Sequence, residues 1–217
     1  MPDILKFKLF DNISNESIDK LSNLSVNSKS YQANEVVLRR NDDLEYALLI
    51  DKGCLKACEY TINGKEIVSS YYFKGDAFPF YLYFGGTKTF PYDIYAVKRS
   101  LVYFLPLKEF EMIMDEDIIL TKNILKFIAE YTTFNKLVIR ATQYSKVIER
   151  LSYWIVHLDE VDYLKLPTSQ AMLANILRVN RSSLNQELKY LRDNNIIKLE
   201  GMDIEIIDRE YLLRVIN

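Results

Sequence analysis

Residues 168–197 read TSQAMLANILRVNRSSLNQELKYLRDNNII, and the spacing of their apolar side chains decides the fold. Leu173, Ala174 and Leu177 form one face of a short helix, and Val179 closes that face from the turn that follows. Leu184, Leu188 and Leu191 then recur at intervals of four and three, one face of a second helix. Ser169 and Asn180 stand where N-caps belong, because their side chains accept the unpaired backbone N–H groups of a first turn. Away from the apolar face, the second helix carries Arg181, Ser182, Asn185, Gln186 and Lys189. Arg, Asn and Gln can make two parallel hydrogen bonds to a base edge, while Ser and Lys suit phosphates. The pattern predicts a helix pair whose second member lies in a DNA groove. The plain alternative is a helical hairpin with a polar outer face.

The rest of the chain sets bounds on this reading. Its 217 residues suffice for one large or two modest domains. A hydrophobic share of 49% with 27% charged residues is that of an ordinary globular protein. The net charge of −2 gives no global basic field, so any affinity for nucleic acid must be local. Two cysteines, Cys54 and Cys58, suit a reducing cytoplasm and supply no disulfide framework. MPDILKFKLF at the start lacks the apolar core of a signal peptide, and no apolar run is long enough to span a bilayer. The expected location is the cytoplasm.

Residues 14–24, SNESIDKLSNL, read as a short helix capped by Ser14 or Asn15. From Tyr31 to Leu105 the pattern changes to strands: VVLRR, YALLI, LKACEY, EIVSSYYF and DIYAV alternate or run β-branched and aromatic. Asn41-Asp42-Asp43, Asp51-Lys52-Gly53, Asn63-Gly64, Lys74-Gly75-Asp76 and Gly85-Gly86 punctuate them. Asn63-Gly64 predicts a two-residue hairpin turn with both residues at positive φ. Short strands at this spacing predict an antiparallel sandwich or barrel.

A short helix over 107–114 closes this region, and the longest helical pattern, about 117–142, follows. Leu120, Ile124, Phe127, Tyr131, Phe134, Val138 and Ala141 repeat at alternating intervals of four and three, the seam of a two-helix contact or, alternatively, the pattern of a long buried helix in a monomer. Leu125, Ile128, Leu137 and Ile139 lie off the seam and are expected to pack on the chain's own domain. SKVIERLSYWIVHL over 145–158 is another amphipathic helix, followed by a connector and short strand over 159–166. Lys198 to Ile207 read as a hairpin around Gly201, a wing beside the helix pair, and 209–216 as a closing helix. The fold class is α+β, divided into a strand-rich domain over 1–116, a dimerisation helix over 117–142 and a winged helix-turn-helix over 143–217.

This order resembles the Crp/Fnr family of bacterial transcription regulators over nearly the whole chain. Gly53, Asn63-Gly64-Lys65-Glu66 and Gly75-Asp76 fall where that family's β-roll, a cyclic-nucleotide-binding-like jelly roll, places its turns. Ile148-Glu149-Arg150-Leu151 looks like the opening of the family's next helix. Leu173-Ala174, Val179-Asn180-Arg181-Ser182-Ser183-Leu184, Glu187-Leu188, Leu191 and Ile196-Ile197 match its helix-turn-helix. The resemblance implies a homodimer on a near-palindromic double-stranded operator, with RNA polymerase as a further partner. It puts Arg181, Ser182 and Gln186 at the principal base-reading positions. Ser182 and Gln186 stand where Glu and Arg are common, so the family's familiar operator is not expected. Ser183 and Lys189 are expected at phosphates, with Gln170 as a weaker contact and Asn180 and Asn185 on the same surface. Arg178 replaces the usual turn glycine, at a position that favours positive φ.

The family's cyclic-nucleotide sensors hold the ribose with a Glu and the cyclic phosphate with an Arg-Ser pair. Placed without gaps, Phe80 stands at the Glu position and Phe90-Pro91 at the pair. A buried phosphate without its Arg loses a charge-assisted partner, so cyclic AMP is not the expected ligand. An iron–sulfur cluster needs about four thiolates, and a haem needs an axial ligand. Two cysteines and the single His157 do not supply these, so no cofactor or metal is expected. Phe78, Phe80, Tyr81, Phe90 and Tyr92, with Tyr131, Phe134 and Asn135 of the long helix, either line an aromatic pocket or fill one. No Ser/His/Asp set, phosphate-cradling loop or metal spacing points to an enzyme. A competing reading is a ligand-binding or protein-docking module with a vestigial helix-turn-helix. Seven Lys/Arg balanced by seven Asp/Glu over 168–217 give that reading its weight.

Overall fold

The β-branched and aromatic runs of the first half form two four-stranded antiparallel sheets in the computed structural model, which describes residues 4–157, 169–201 and 203–217. The connector and strand expected over 159–166 lie outside these residues. One sheet has the order β1-β8-β3-β6, from β1 (Asn27–Tyr31), β8 (Ser100–Pro106), β3 (Tyr46–Lys52) and β6 (Ala77–Phe78). The other has the order β2-β7-β4-β5, from β2 (Val36–Leu38), β7 (Asp93–Ala96), β4 (Cys54–Tyr60) and β5 (Glu66–Phe73). Leu48, Leu49, Ile50, Leu55, Ile94 and Leu105 are fully buried. These are the antiparallel sheets expected from the strand spacing, in the β-roll that the family resemblance implies.

The β4–β5 hairpin differs from the two-residue turn predicted at Asn63-Gly64. Gly64 N–H donates to Thr61 O at 2.8 Å and Thr61 N–H to Lys65 O at 3.0 Å, so Ile62, Asn63 and Gly64 form a three-residue loop. Only Gly64 of the pair takes positive φ, at 76°, as a turn followed by a left-handed residue requires. At Gly53 the backbone has φ 98°, and a Cβ there would meet Ser100 Oγ at 2.1 Å.

Helices α1 (Asn15–Ser22), α2 (Phe80–Phe84) and α3 (Leu107–Glu116) accompany the sheets. The long helix α4 runs from Ile118 to Gln143. The chain divides within it into two compact units, Met1–Ile128 and Ala129–Asn217. Helices α5 (Val147–Val156), α6 (Gln170–Ile176), α7 (Arg181–Asp193) and α8 (Arg209–Ile216), with strands β9 (Ile197–Glu200) and β10 (Asp203–Ile206), complete the second unit. None of the described helices is long and apolar enough to cross a membrane.

Helix α4 starts on Asp117, a residue only 6% exposed. Its carboxylate accepts the N–H groups of Ile119 (2.9 Å), Leu120 (3.1 Å) and, from the start of α1, Ser14 (2.9 Å). Burial pulls its pKa upward, but the donors of Ser14, Ser17 and Leu120 prevail and hold the carboxyl well below its ordinary 3.8. A depressed folded pKa gives stability that is complete above the unfolded value and lost as pH falls through the folded one. Asp117→Ala is expected to destabilise the first unit by about 2 kcal/mol at neutral pH, through the lost cap and the stranded Ser14 donor. Urea titrations at descending pH should show the gap to wild type closing below about pH 4. A gap independent of pH would contradict this role.

Candidate nucleic-acid interface

The second unit is built around one apolar cluster. Leu151, Trp154 and Ile155 of α5 meet Leu173 and Ala174 of α6, Leu184, Leu188 and Leu191 of α7, and Leu212 of α8. The α6–α7 pair forms as its spacing predicts. Ser169 Oγ accepts from Met172 N–H at 3.2 Å and caps α6. Asn180 Oδ1 accepts from Ser182 N–H at 2.8 Å and caps α7. Between them the chain reverses at Arg178, which takes the left-handed conformation with φ 55°. Val179 N–H donates to Ala174 O at 2.9 Å, and the Val179 side chain packs on the cluster. Arginine thus adopts a conformation natural to glycine, at a steric cost of about 1 kcal/mol.

With Leu184, Leu188 and Leu191 turned inward, α7 directs a second row to solvent. Ser182, Gln186 and Lys189 stand four and three residues apart and are exposed, as is Arg181 at the first helical position. Their heads are a guanidinium, a hydroxyl, an amide and an ammonium, the groups suited to base edges and phosphates. Ser182 Oγ donates to Asn180 Oδ1 at 2.7 Å, which leaves the hydroxyl its acceptor capacity for an outside partner.

Other predicted contact residues are less available. Asn180 spends its side-chain oxygen on the cap and on Ser182. Asn185 is half-buried, and its Oδ1 is shut from solvent with no hydrogen-bond partner among the described residues. A two-bond contact to adenine needs both ends of the amide, so Asn185 must turn outward to make one. Ser183 and Gln170 are also half-buried. The hairpin of β9 and β10 pairs Asp203 with Glu200 and turns at Gly201, the wing expected beside the helix pair. Its one lysine, Lys198, lies between Glu200 (3.1 Å) and Glu205 (3.8 Å), so the wing's local charge is not basic.

One residue at the turn was not foreseen from sequence. Arg150 of α5 donates from Nε to Tyr144 O (2.7 Å) and from Nη1 to Leu177 O (3.0 Å) and Arg178 O (3.0 Å). Its partners are backbone carbonyls, which carry no mark in the sequence.

The aromatic residues expected at an effector pocket divide between the units. In the first, Phe78, Phe80, Phe90 and Tyr92 are buried and Tyr81 half-buried. Phe80 packs against Phe110 and Phe127, with centroids 5.8 and 6.3 Å apart. Tyr72, which sequence spacing did not single out, stacks on Phe78 and joins a chain of hydroxyls: Tyr72 to Tyr92 at 3.4 Å and Tyr92 to Tyr81 at 2.7 Å. The rings and hydroxyls thus largely satisfy one another. Tyr131, Phe134 and Asn135 belong to the second unit, where Phe134 meets Trp154 edge-on at 5.8 Å. Cys54 and Cys58 are buried on β4, where burial pushes their thiols up to about 12 and about 11, as suits packing residues. His157 stacks on Tyr153 at 4.1 Å.

The seam residues of α4 are partly withdrawn into their own units. Leu120, Ile124 and Ala141 are at most 1% exposed, while Phe127, Tyr131, Phe134 and Val138 are half-buried. Leu125 and Ile139, expected to pack inside, instead point outward, 60% and 59% exposed. Ile118 does the same at 65%. A helix with apolar residues on two sides offers two stripes, and spacing alone does not say which one its own chain covers.

Comparison with known proteins agrees with this arrangement. Residues 28–117 match the cyclic nucleotide-binding domain family, and residues 149–215 match the Crp-like helix-turn-helix domain family. FixK2 from Bradyrhizobium japonicum has a similar structure, with a TM-score of 0.66 at 16% identity over 88% of this chain and 98% of that one. A CooA mutant from Carboxydothermus hydrogenoformans gives 0.67 at 15% identity over 88% of each chain. DNR from Pseudomonas aeruginosa gives 0.52 at 17% identity over 97% of this chain and 95% of that one. At such identities these likenesses establish the fold. Among curated proteins, no sequence matches significantly.

Proposed function

Because the chain belongs to the Crp/Fnr family of transcription regulators, we propose that it acts as a homodimer reading a near-palindromic DNA operator, under the control of a small molecule other than cyclic AMP or of none. The observation that carries this reading is the exposed row of Arg181, Ser182, Gln186 and Lys189 on a helix capped by Asn180 and seated on three buried leucines. Two such helices, about one helical turn of DNA (roughly 34 Å) apart, read the two half-sites of a palindrome. On this reading the protein works in the cytoplasm, is not an enzyme and meets RNA polymerase at the promoter. A binding selection on random duplexes should enrich a two-fold symmetric motif. Selection without any enriched motif would instead favour a docking module with a vestigial reader.

The cyclic-AMP part rests on chemistry. Phe80, Phe90 and Pro91 stand where the family's sensors carry the ribose Glu and the phosphate Arg-Ser pair, and both phenylalanines are 1% exposed. Admitting a cyclic phosphate there would bury an anion among phenyl rings, without a bidentate partner. Calorimetry is expected to detect no micromolar binding of cyclic AMP, and a micromolar isotherm would overturn this part of the reading. Where an effector exists, the Tyr72–Tyr92–Tyr81 hydroxyls suit a small phenol or aromatic acid. Such a ligand regulates only by binding one state of the dimer better than the other. A thermal-shift screen of small phenols and acids is the direct search.

A further inference from the structure

The turn before α7 combines two features that oppose each other. Arg178 holds the left-handed conformation that glycine adopts without strain, and α6 is only seven residues long. A helix end leaves its last carbonyls without intrahelical donors and carries partial negative charge. At that point a planar cation arrives from another helix. The Arg150 guanidinium takes the carbonyls of Leu177 and Arg178 with Nη1 and that of Tyr144 with Nε. Tyr144 lies just past the end of α4, whereas Leu177 and Arg178 form the turn that aims α7.

We infer that Arg150 is the positioning residue of the DNA reader, joining the chain that leaves α4 to the turn before α7 through three carbonyls. The inference rests on the DNA-reading assignment and adds to it a fixed link between the long helix and the recognition helix. A guanidinium suits this task because its donors diverge in one plane. A lysine ammonium concentrates its donors on one nitrogen, so it cannot span both sites in the same way. Movement at the α4 end is thereby delivered to the backbone of the turn, and Arg178 is held where it is otherwise strained.

The test uses the full-length protein, the duplex selected by wild type and an unrelated duplex. Arg150→Ala is expected to weaken binding to the selected duplex by at least about tenfold while leaving the unrelated duplex nearly unchanged. Arg150→Lys should recover only part of the loss, and it serves as the probe where the alanine variant folds poorly. In an Arg178→Gly background the loss on Arg150→Ala should shrink, because glycine needs no clamp; this double-mutant cycle reports coupling that a merely structural arginine would not give. Amide exchange at Leu177 and Val179 should accelerate selectively in Arg150→Ala. Equal losses on both duplexes that follow the melting temperature, or no loss on either, would overturn the inference. If wild type selects no duplex, the DNA-reading assignment fails; unchanged exchange at Leu177 and Val179 would then dispose of the clamp as well.

Discussion

Arg181→Ala is expected to abolish discrimination between operator and random DNA while leaving the fold intact. The side chain is exposed at the first position of α7, and the helix beneath it is held by Leu184, Leu188 and Leu191 and by the Asn180 cap. Its removal therefore leaves the core untouched, and melting should not change. A guanidinium there can span O6 and N7 of a guanine, and each such contact is worth about 1–3 kcal/mol of discrimination. In a two-fold complex the loss is taken twice, so affinity for the selected duplex should approach that for unrelated DNA. Lys189→Ala supplies the contrast. Its ammonium, in the row with Ser182 and Gln186, suits a phosphate. Its loss should weaken all duplexes alike and reduce the salt slope by about 2, about 1 for each half-site. Fluorescence anisotropy at several salt concentrations separates the two outcomes. Unchanged operator affinity in Arg181→Ala would remove the basis for the base-reading assignment.

The helix pair was legible because its information is local. The Leu173–Leu177 and Leu184–Leu191 rows and the caps Ser169 and Asn180 each depend on neighbours within a few residues. The strands were legible as strands, but pairings such as Asn27 with Phe104 join residues far apart and leave no trace in local periodicity. On α7, spacing put Arg181, Ser182, Gln186 and Lys189 on the exposed side, where the structure has them, and overstated the availability of other members. Spacing put Asn185 on the polar side, yet its oxygen is enclosed, because a residue beside the apolar row is drawn partly under its neighbours. Asn180 was both a cap and a contact candidate, and the cap takes its oxygen. Arg150 and Tyr72 were missed for a different reason. Their roles follow from carbonyls and hydroxyls that tertiary folding brings near, the turn carbonyls for one and the Tyr92 hydroxyl for the other.

The same ambiguity on α4 leads to the second large effect. Ile118, Leu125 and Ile139 share a heptad position, which Thr132 completes, and this row runs along roughly the opposite side of the helix from Leu120, Ile124 and Ala141. Apolar residues at one heptad position supply half of the a/d pattern of a seam between two helices. The inner row is occupied at its ends by the chain's own cores, so on the dimer reading proposed above the outer row is the candidate surface for a second copy. Burying a Leu or Ile side chain contributes about 1.5–3 kcal/mol relative to exposure, and a two-fold contact counts each residue twice. Leu125→Glu with Ile139→Glu replaces that gain with carboxylates facing their own symmetry mates. On that dimer reading, the double variant is expected to sediment as a monomer where wild type sediments as a dimer, to melt at a temperature independent of protein concentration and to lose operator binding. Ala141→Glu should behave differently. Its site is 0% exposed within the second unit's apolar cluster, so a carboxylate there should lower the melting temperature. A Leu125/Ile139 variant that remains dimeric would return the contact to the middle of the inner row, to Phe127, Tyr131, Phe134 and Val138, which keep part of their surface exposed.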